Sequence, residues 1–355
     1  MALPEPLIRQ TPLGTYCAAG DFYIDPQRPV RRAVITHAHS DHARWGCDHY
    51  LATTSSEHLL RMRLSNDADF QFAPYGQTVH HHGVQISFHP AGHMLGSAQI
   101  RLEHRGQVAV VAGDYKLGPD ATCASWQPIR CHLFVTESTF ALPVYRWPDA
   151  DQVFESINRW WRDSAAAGKC CLLYGYAVGK SQRLLAGLDT SIGPIYTHGA
   201  VEKGVQAYRD SGVKLPETRY VGSIDGKHDW SGSLVLAVPS AHGTPWTRRF
   251  GAVSTAMASG WMMIRGPRRR RATDRGFVLS DHIDWPGLLE AVALCDPDKV
   301  WVQHGYTAVA ARYLCELGRD AVSIDRSGRR GEEEEDGSEI DTAPASPPDR
   351  GDATP

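Results

Sequence analysis

Four residues that can bind metal ions stand close together near the start of the chain: His37, His39, Asp41 and His42. They directly follow the β-branched run 33–36. Imidazole nitrogens and carboxylate oxygens are ligands that Zn²⁺ takes at catalytic sites. Since alternate residues of an extended loop point the same way, His37 and His39 can bind one ion while the other two residues turn towards a second. The spacing predicts a site for two neighbouring metal ions.

Three further residues of ligand type come just past predicted strands: His93, Asp114 and His304. Each follows a short apolar run or lies in a glycine-bracketed turn. Because strand ends meet at the edge of a sheet, all three can converge on one edge. A carboxylate in the position of Asp114 is placed to bridge two ions. The chain therefore has enough ligands for a two-metal site.

The elements that must position these residues alternate along the chain. Short β-branched runs predict buried strands over residues 33–36, 108–112, 133–136, 277–280 and 300–303. Apolar residues at helical spacing predict helices over residues 153–166, 285–294 and 307–317. Strands early and late, with mixed elements between them, predict an α/β chain in which one domain is inserted into a sandwich-type host.

Composition indicates an ordinary globular chain. Of its 355 residues, 42% are hydrophobic and 22% are charged, which is usual for soluble domains. No run approaches the ~18 apolar residues that a membrane span needs. The first residues lack the basic and apolar regions of a secretory signal, and the eight cysteines form no C-x-x-C pair. We expect a cytoplasmic protein that does not contact membranes.

The formal net charge of −3 is unevenly distributed. From residue 329 onward the chain holds three basic and nine acidic residues, a net of −6, so the rest carries −3 + 6 = +3. A segment this rich in charge, Pro, Ser and Ala cannot bury enough apolar surface to offset its ordering entropy. We therefore expect residues 327–355 to form a disordered acidic tail.

These motifs together resemble the metallo-β-lactamase superfamily: the loop 37–42, the Gly-His pair at His93 and the Gly-Asp pair at Asp114. Three further segments are similar to motifs A, B and C of the β-CASP nucleases: residues 136–140, 280–285 and 304–305. The resemblance implies an αββα metallo-β-lactamase sandwich with an inserted α/β β-CASP domain. The sandwich is expected in residues 1–144 and 272–326, and the insertion in residues 145–271.

Within that family, the compact length and several local segments resemble the bacterial DNA ligase-associated exonucleases. These segments are residues 197–200, residues 258–262 and the arginine-rich stretch that leads into motif B. The resemblance implies a DNA exonuclease that acts on DNA ends in repair alongside an ATP-dependent DNA ligase. A DNA ligase and a helicase are the partners that it implies. The cofactors are expected to be two divalent ions, zinc or alternatively manganese.

The expected ligands divide between the two ions. One ion is expected to have three histidine ligands: His37, His39 and His93. The other is expected to have ligands from both ends of the chain: Asp41, His42 and His304. Asp114 bridges the two ions in this arrangement.

Three residues are expected to take part in catalysis. Two close metal ions can lower the pKa of a water molecule and hold the oxygens of a phosphodiester. Asp41 is placed to orient the attacking water. His282 is the candidate general acid for the leaving oxygen, and Glu137 is expected to fix its tautomer through a hydrogen bond.

Arginines of the predicted insertion are the candidate contacts to nucleic acid, because phosphate binding needs cations. They are Arg265, Arg268, Arg269, Arg270, Arg271, Arg248 and Arg249. By contrast, the segment 175–181 only imitates a phosphate-binding loop. It has three residues between its glycines, where the motif has four. We predict an ordinary strand-to-helix turn there, with Lys180 and Arg183 exposed.

Three other functions stay open at this point. A histidine at motif C, here His304, resembles the RNA-processing branch of the family, so an RNA nuclease is the nearest alternative. A small-molecule metallo-hydrolase is less compatible with Glu137 and His282. A nucleic-acid-binding module without catalysis fits the motifs least.

Overall fold

The described residues, 6–264 and 273–324 of a computed structural model, contain three β-sheets. Six strands form the first sheet in chain order: Arg9–Thr11 (β1), Gly14–Cys17 (β2), Phe22–Ile24 (β3), Arg32–Val34 (β4), His49–Thr53 (β5) and Phe70–Ala73 (β6). The pairs β1–β2 and β2–β3 are antiparallel, and the later pairs are parallel. The loop 37–42 follows β4, as expected from the sequence.

Seven strands form the second sheet: Thr78–His81 (β7), Val84–Pro90 (β8), Ala98–His104 (β9), Gln107–Val111 (β10), Leu133–Ser138 (β11), Lys299–Gly305 (β18) and Asp320–Ser323 (β19). Their order across the sheet is β19-β18-β11-β10-β9-β8-β7. β7 to β10 form an antiparallel meander. β10, β11, β18 and β19 are parallel.

The two sheets pack face to face and carry helices on their outer faces. Glu57–Leu64 (α1) covers the first sheet, and Trp285–Cys295 (α5) and Thr307–Glu316 (α6) cover the second. Along β10, Ala109 and Val111 face the core between the sheets, whereas Val110 faces α5 and α6. A strand buried on both faces reads as a continuous apolar run, and this is why its sequence shows no alternation. The predicted αββα sandwich is confirmed.

The third sheet belongs to the insertion and is parallel throughout. Its strands are Cys170–Tyr174 (β12), Ile195–Thr197 (β13), Arg219–Tyr220 (β14), Leu234–Ala237 (β15), Val253–Ala258 (β16) and Arg275–Phe277 (β17), in the order β14-β13-β15-β12-β16-β17. Its helices are Ala150–Ala166 (α2), Lys180–Ala186 (α3) and Gly199–Asp210 (α4). The Asp149 side chain caps α2 by accepting a hydrogen bond from the Gln152 amide, which satisfies one open donor of the first turn.

The third sheet extends beyond the residue at which the insertion is expected to end. β17 pairs with β16 of the third sheet, although residues 272–326 were assigned to the sandwich. The predicted strand 277–280 is also wrong beyond Phe277, because β17 ends there. We propose that the insertion comprises residues 145 to about 278. The acidic segment 327–355 lies outside the described residues.

Short 3₁₀ helices complete the described chain: Thr54–Ser56, Val221–Ser223, Pro239–Ala241, Pro245–Phe250 and Gly260–Met263. Within the part of the chain that the structure describes, no helix has both the length and the apolar character needed to cross a membrane.

Candidate metal centre

Three histidine nitrogens face a common point at the edge of the sandwich. His39 Nδ1 lies 3.1 Å from His37 Nε2 and 3.2 Å from His93 Nε2. Asp114 Oδ2 lies 3.6 Å from His37 Nε2 and 4.0 Å from His93 Nε2. Among the described residues, the ligand atoms of these four side chains all lie within 4.8 Å of one another. This donor set fits one divalent ion of the zinc type.

Further candidate ligands lie on the other side of Asp114. His42 Nε2 is 3.5 Å from Asp114 Oδ2 and 3.4 Å from Asp41 Oδ2. The buried Oδ1 atom of Asp41 has no hydrogen-bond partner among the described residues. A buried carboxylate oxygen without a partner is unfavourable unless a cation or a water satisfies it. The chemistry of this second group therefore fits a second ion.

His304 reaches this second group from the end of β18. Its ring centroid lies 5.5 Å from that of His42. His304 adopts a left-handed conformation with φ of 56°, and Gly305 follows with φ of 79°. A Cβ atom on Gly305 would lie 2.5 Å from the Thr139 Cα atom, so the turn that places His304 requires glycine. The structure thus brings all seven predicted ligands to one region.

Three histidine rings are oriented by outer hydrogen bonds, which are made by the ring nitrogen that faces away from the candidate metal site. His42 Nδ1 donates to Asp25 Oδ2 at 2.7 Å. His93 Nδ1 lies 2.9 Å from the Asp281 carbonyl oxygen, and His39 Nε2 lies 3.2 Å from the Val178 carbonyl oxygen. Because a carbonyl oxygen only accepts, each ring must donate through that nitrogen. In the neutral form of each ring, the opposite nitrogen is unprotonated and free to bind a metal ion.

The electrostatics of the cluster favour a bound cation. Burial holds the pKa of His37 and of His93 well below the ordinary value, so both rings are neutral, as ligands must be. Burial also opposes a charge on His42, but the carboxylates of Asp41, Asp114 and Asp25 raise its pKa well above the ordinary value. The acidic groups therefore attract positive charge to the place where the second ion is expected.

Asp25 is a functional residue that the sequence analysis missed. It directly follows β3, and its carboxylate accepts hydrogen bonds from the Thr36 amide at 2.8 Å and hydroxyl at 2.6 Å, besides that from His42. The available signal was an aspartate at the end of a strand next to β4. That signal becomes visible only when the pairing of β3 with β4 is known.

Replacing Asp25 with asparagine is expected to weaken zinc binding by about 10–100-fold, the usual effect of losing an outer partner of a histidine ligand. Asn tolerates the left-handed backbone at this position, where φ is 44°, so the chain is expected to fold. Competition with a chromophoric chelator measures the affinity. Asp21→Asn is the matched control, since exposed Asp21 has a similar φ of 50°. Wild-type zinc affinity in Asp25→Asn would contradict this role.

Glu137 and His282 form a pair beside Asp114. His282 Nδ1 lies 2.9 Å from Glu137 Oε2 and 3.9 Å from Asp114 Oδ2. Glu137 is fully buried at the end of β11, and its Oε1 atom also accepts a hydrogen bond from the Tyr115 amide at 3.0 Å. Burial raises the pKa of Glu137, although the His282 ring opposes this shift. The pair can hold a proton at His282 for transfer to a bound group.

The same two residues and Asp114 could instead hold a metal ion, since their ligand atoms also lie within 4.8 Å of one another. The existing hydrogen bonds argue against this use. Both carboxylate oxygens of Glu137 lie within hydrogen-bond distance of His282 Nδ1, at 3.1 and 2.9 Å. An ion there would have to displace these contacts. The geometry therefore favours a proton-transfer pair over a third metal site.

Of the predicted nucleic-acid contacts, the described residues include only Arg248 and Arg249. Both are exposed in the short helix Pro245–Phe250, which follows the carboxyl end of β15. The helix lies in the segment that joins the carboxyl end of β15 to the amino end of β16. The other five lie outside the described residues: Arg265, Arg268, Arg269, Arg270 and Arg271.

The predicted exposure of Lys180 and Arg183 is wrong. Both side chains are buried, at 4% and 9% exposure, and both form ion pairs with Asp281 at 2.8 Å. The burial is possible because carboxylates from distant parts of the chain compensate the charges. A local turn pattern contains no information about such partners.

Comparisons with known proteins add to this description. "Probable DNA ligase" of Opitutus terrae is 32% identical over 313 residues, covering 88% of this chain and 30% of that protein. "Cleavage and polyadenylation specificity factor 73" of Drosophila melanogaster is 25% identical and covers 49% and 26%. "DNA cross-link repair protein SNM1" of Arabidopsis thaliana is 22% identical and covers 75% and 59%. No protein-family model matches the chain.

These similarities agree with the fold and with the histidine-rich loop. The chain belongs to the β-CASP family of the metallo-β-lactamase superfamily. It spans less than two thirds of the length of each of these three relatives. The resemblance predicted from the motifs is confirmed at the level of the family.

Proposed function

We propose that this chain is a nuclease that hydrolyses phosphodiester bonds with two divalent metal ions. One observation carries the proposal. Asp114 is shared between a three-histidine group and a second group at His42, and the Glu137–His282 pair lies directly beside it. Two adjacent metal sites with a proton donor suit a phosphodiester, because its attacking and leaving oxygens both need stabilisation.

The proposed ligands divide between two ions. Three histidines would hold one ion: His37, His39 and His93. Ligands from the loop 37–42 and from motif C would hold the other: Asp41, His42 and His304. Asp114 would be shared by both sites. The ions, zinc or manganese, would supply Lewis-acid stabilisation of the developing negative charge.

The remaining side chains handle protons. The Asp41 Oδ1 atom, which has no hydrogen-bond partner among the described residues, accepts a hydrogen bond from the attacking water and aims it at phosphorus. His282 keeps its Nδ1 proton, which it shares in a hydrogen bond with the Glu137 carboxylate. It donates the proton on its other nitrogen to the leaving oxygen. Glu137 thereby holds the imidazole in the charged, correctly oriented form.

DNA ends are the proposed substrate, and repair alongside an ATP-dependent DNA ligase is the proposed setting. The names of the Opitutus and Arabidopsis relatives support this choice. Exposed Arg248 and Arg249 are suited to contact the phosphate backbone. Arg265 and Arg268 to Arg271 are proposed for the same role. A helicase partner rests on the family resemblance alone. The proposed compartment is the cytoplasm, since all eight cysteines are free thiols.

An RNA nuclease is the second candidate. His304 at motif C supports it, as does the fly relative, whose name refers to polyadenylation. Both candidates use the same metal centre, so the substrate decides between them.

Incubation with end-labelled DNA and RNA single strands of the same sequence, in added zinc or manganese, tests the substrate. We expect progressively shortened DNA and little change in the RNA. His39→Ala serves as the control for contaminating nucleases. Preference for RNA would favour the second candidate. Hydrolysis of a lactam or thioester without strand cleavage would indicate a small-molecule hydrolase, and tight binding without cleavage would indicate a binding module.

A further inference from the structure

The turn after β12 and the first residues of α3 contact the metal centre although they belong to the insertion. We call residues 175–183, which comprise both, the 175–183 turn. Its Val178 carbonyl oxygen accepts the hydrogen bond from His39. Its Lys180 and Arg183 side chains hold Asp281, whose carbonyl oxygen accepts the hydrogen bond from His93. Two of the three histidines assigned to the first ion are thus oriented by carbonyl groups that lie in this turn or are held by it.

The segment 279–281 is bound tightly to the 175–183 turn. Besides its ion pair, Lys180 Nζ donates to the Leu279 carbonyl oxygen at 2.9 Å. Arg183 Nη1 donates to the Ser280 carbonyl oxygen at 2.6 Å and to Asp281 Oδ1 at 2.8 Å. Burial by itself raises the pKa of Asp281, but Lys180 and Arg183 hold that pKa well below its usual range. The buried cluster is therefore ionised, and three consecutive residues next to His282 are fixed.

The 175–183 turn has internal bonds that make it rigid. The Gly179 amide donates to the Gln182 side chain at 2.7 Å, and that side chain donates to the Ala177 carbonyl oxygen at 2.9 Å. Gly179 has φ of 85°, and a Cβ atom there would lie 3.3 Å from the Met94 Cβ atom. The turn therefore packs closely against the segment that contains His93, with little freedom to shift.

We propose that Lys180 and Arg183 are positioning residues of the metal centre, and that the insertion sets the metal affinity of the three-histidine site through them. On this view, the segment that imitates a phosphate-binding loop fixes the two carbonyl oxygens that accept hydrogen bonds from His39 and His93. The inference rests on the proposed metal centre. It is independent of whether the substrate is DNA or RNA.

The simpler alternative is that the ion cluster only attaches the insertion to the sandwich. Metal affinity separates the two roles. An attachment role predicts lower stability and unchanged zinc binding in the folded protein. A positioning role predicts a loss at one ion, because the Asp281 carbonyl oxygen contacts His93, which is assigned to the first ion.

The test is Lys180→Met combined with Asp281→Asn, which removes both charges of one pair and leaves the pair of Arg183 with Asp120, 3.1 Å apart. Zinc-loaded protein is challenged with a chromophoric chelator, which reports the affinity of each ion. We expect one affinity to fall by about 10–100-fold and the other to stay unchanged. Lys180→Arg, which keeps the charge, is expected to retain both affinities.

Ile157→Ala is the matched control for general loosening of the insertion. Ile157 is fully buried in α2 and is not part of the 175–183 turn. Its replacement removes core contacts and is expected to leave both zinc affinities unchanged. Should the double variant not fold, Asp281→Asn alone, which changes little volume, gives the same measurement.

Two results would overturn the proposal: wild-type zinc affinities in the folded variant, or an equal loss of zinc affinity in Ile157→Ala. If the wild-type protein cleaves no nucleic acid, the proposed nuclease function is refuted. A selective loss of one zinc affinity in the variant would still support the positioning role, so the two failures are distinguishable.

Discussion

Replacing His39 with alanine is expected to reduce bound zinc from two ions to one and to lower nuclease turnover steeply. His39 Nδ1 lies between His37 Nε2 and His93 Nε2, at 3.1 and 3.2 Å, so its loss removes the central ligand of the first ion. Metal ions stabilise such transition states by several kcal/mol, so we expect turnover to fall by about 10⁴-fold. Metal analysis and digestion of end-labelled DNA measure both effects.

The expected result depends on the variant remaining folded. His39 lies outside the apolar cores of the sandwich and the insertion, so its replacement leaves that packing intact. His58→Ala is the control, since His58 is exposed on α1. An active His39→Ala protein with two bound zinc ions would show that the three-histidine site is assigned wrongly.

Replacing His282 with alanine is expected to keep both metal ions and to lower turnover by about 10²–10⁴-fold, the usual contribution of a general acid. His282 donates to Glu137 in this account and is not a ligand. A phosphodiester with a p-nitrophenyl leaving group needs no proton on departure. The loss should therefore be much smaller for that substrate than for DNA, and comparing kcat for the two measures the proton-transfer role.

Glu137→Gln extends the same test. Without the carboxylate, the protonated imidazole is less stable, because an opposite charge within hydrogen-bond distance favours the charged form. In a plot of kcat against pH, the fall in rate on the alkaline side is therefore expected to move to lower pH. Equal losses on both substrates in His282→Ala, or the loss of a metal ion, would reject the general-acid assignment.

The metal loop could be predicted because its information is local. His37, His39, Asp41 and His42 lie within six residues, and their spacing alone indicates two neighbouring sites. His93, Asp114 and His304 could be added because each follows a strand-like run. Strand ends are brought together at a sheet edge regardless of which strands pair, so this inference needed no topology.

The outer hydrogen bonds could not be predicted, for two physical reasons. Val178 and Asp281 contact the histidines through backbone carbonyl oxygens. Since every residue has such a carbonyl group, the residue type does not indicate the contact. Lys180 and Arg183 are buried against Asp281, which lies about a hundred positions later in the chain, and Arg183 also pairs with Asp120. Local composition indicates exposure for such charges, and the domain interface overrides that tendency.

The pairing of β17 could not be predicted for a related reason. The run 277–280, which has three apolar residues and a serine, predicts a strand of the sandwich, yet only Arg275–Phe277 is a strand, and it pairs with the insertion. Beyond the strand, Lys180 and Arg183 bind the carbonyl oxygens of Leu279 and Ser280. Asp281, which follows, contacts His93 through its own carbonyl oxygen.

The dependence of DNA digestion on the number of bound metal ions tests the two-metal account most directly. Protein stripped by a chelator is titrated with zinc or manganese, and bound metal and product release are measured at each step. We expect little digestion up to one ion for each chain and full activity only as the second binds. Digestion that persists after chelation, or that reaches its maximum with one ion, would contradict the account.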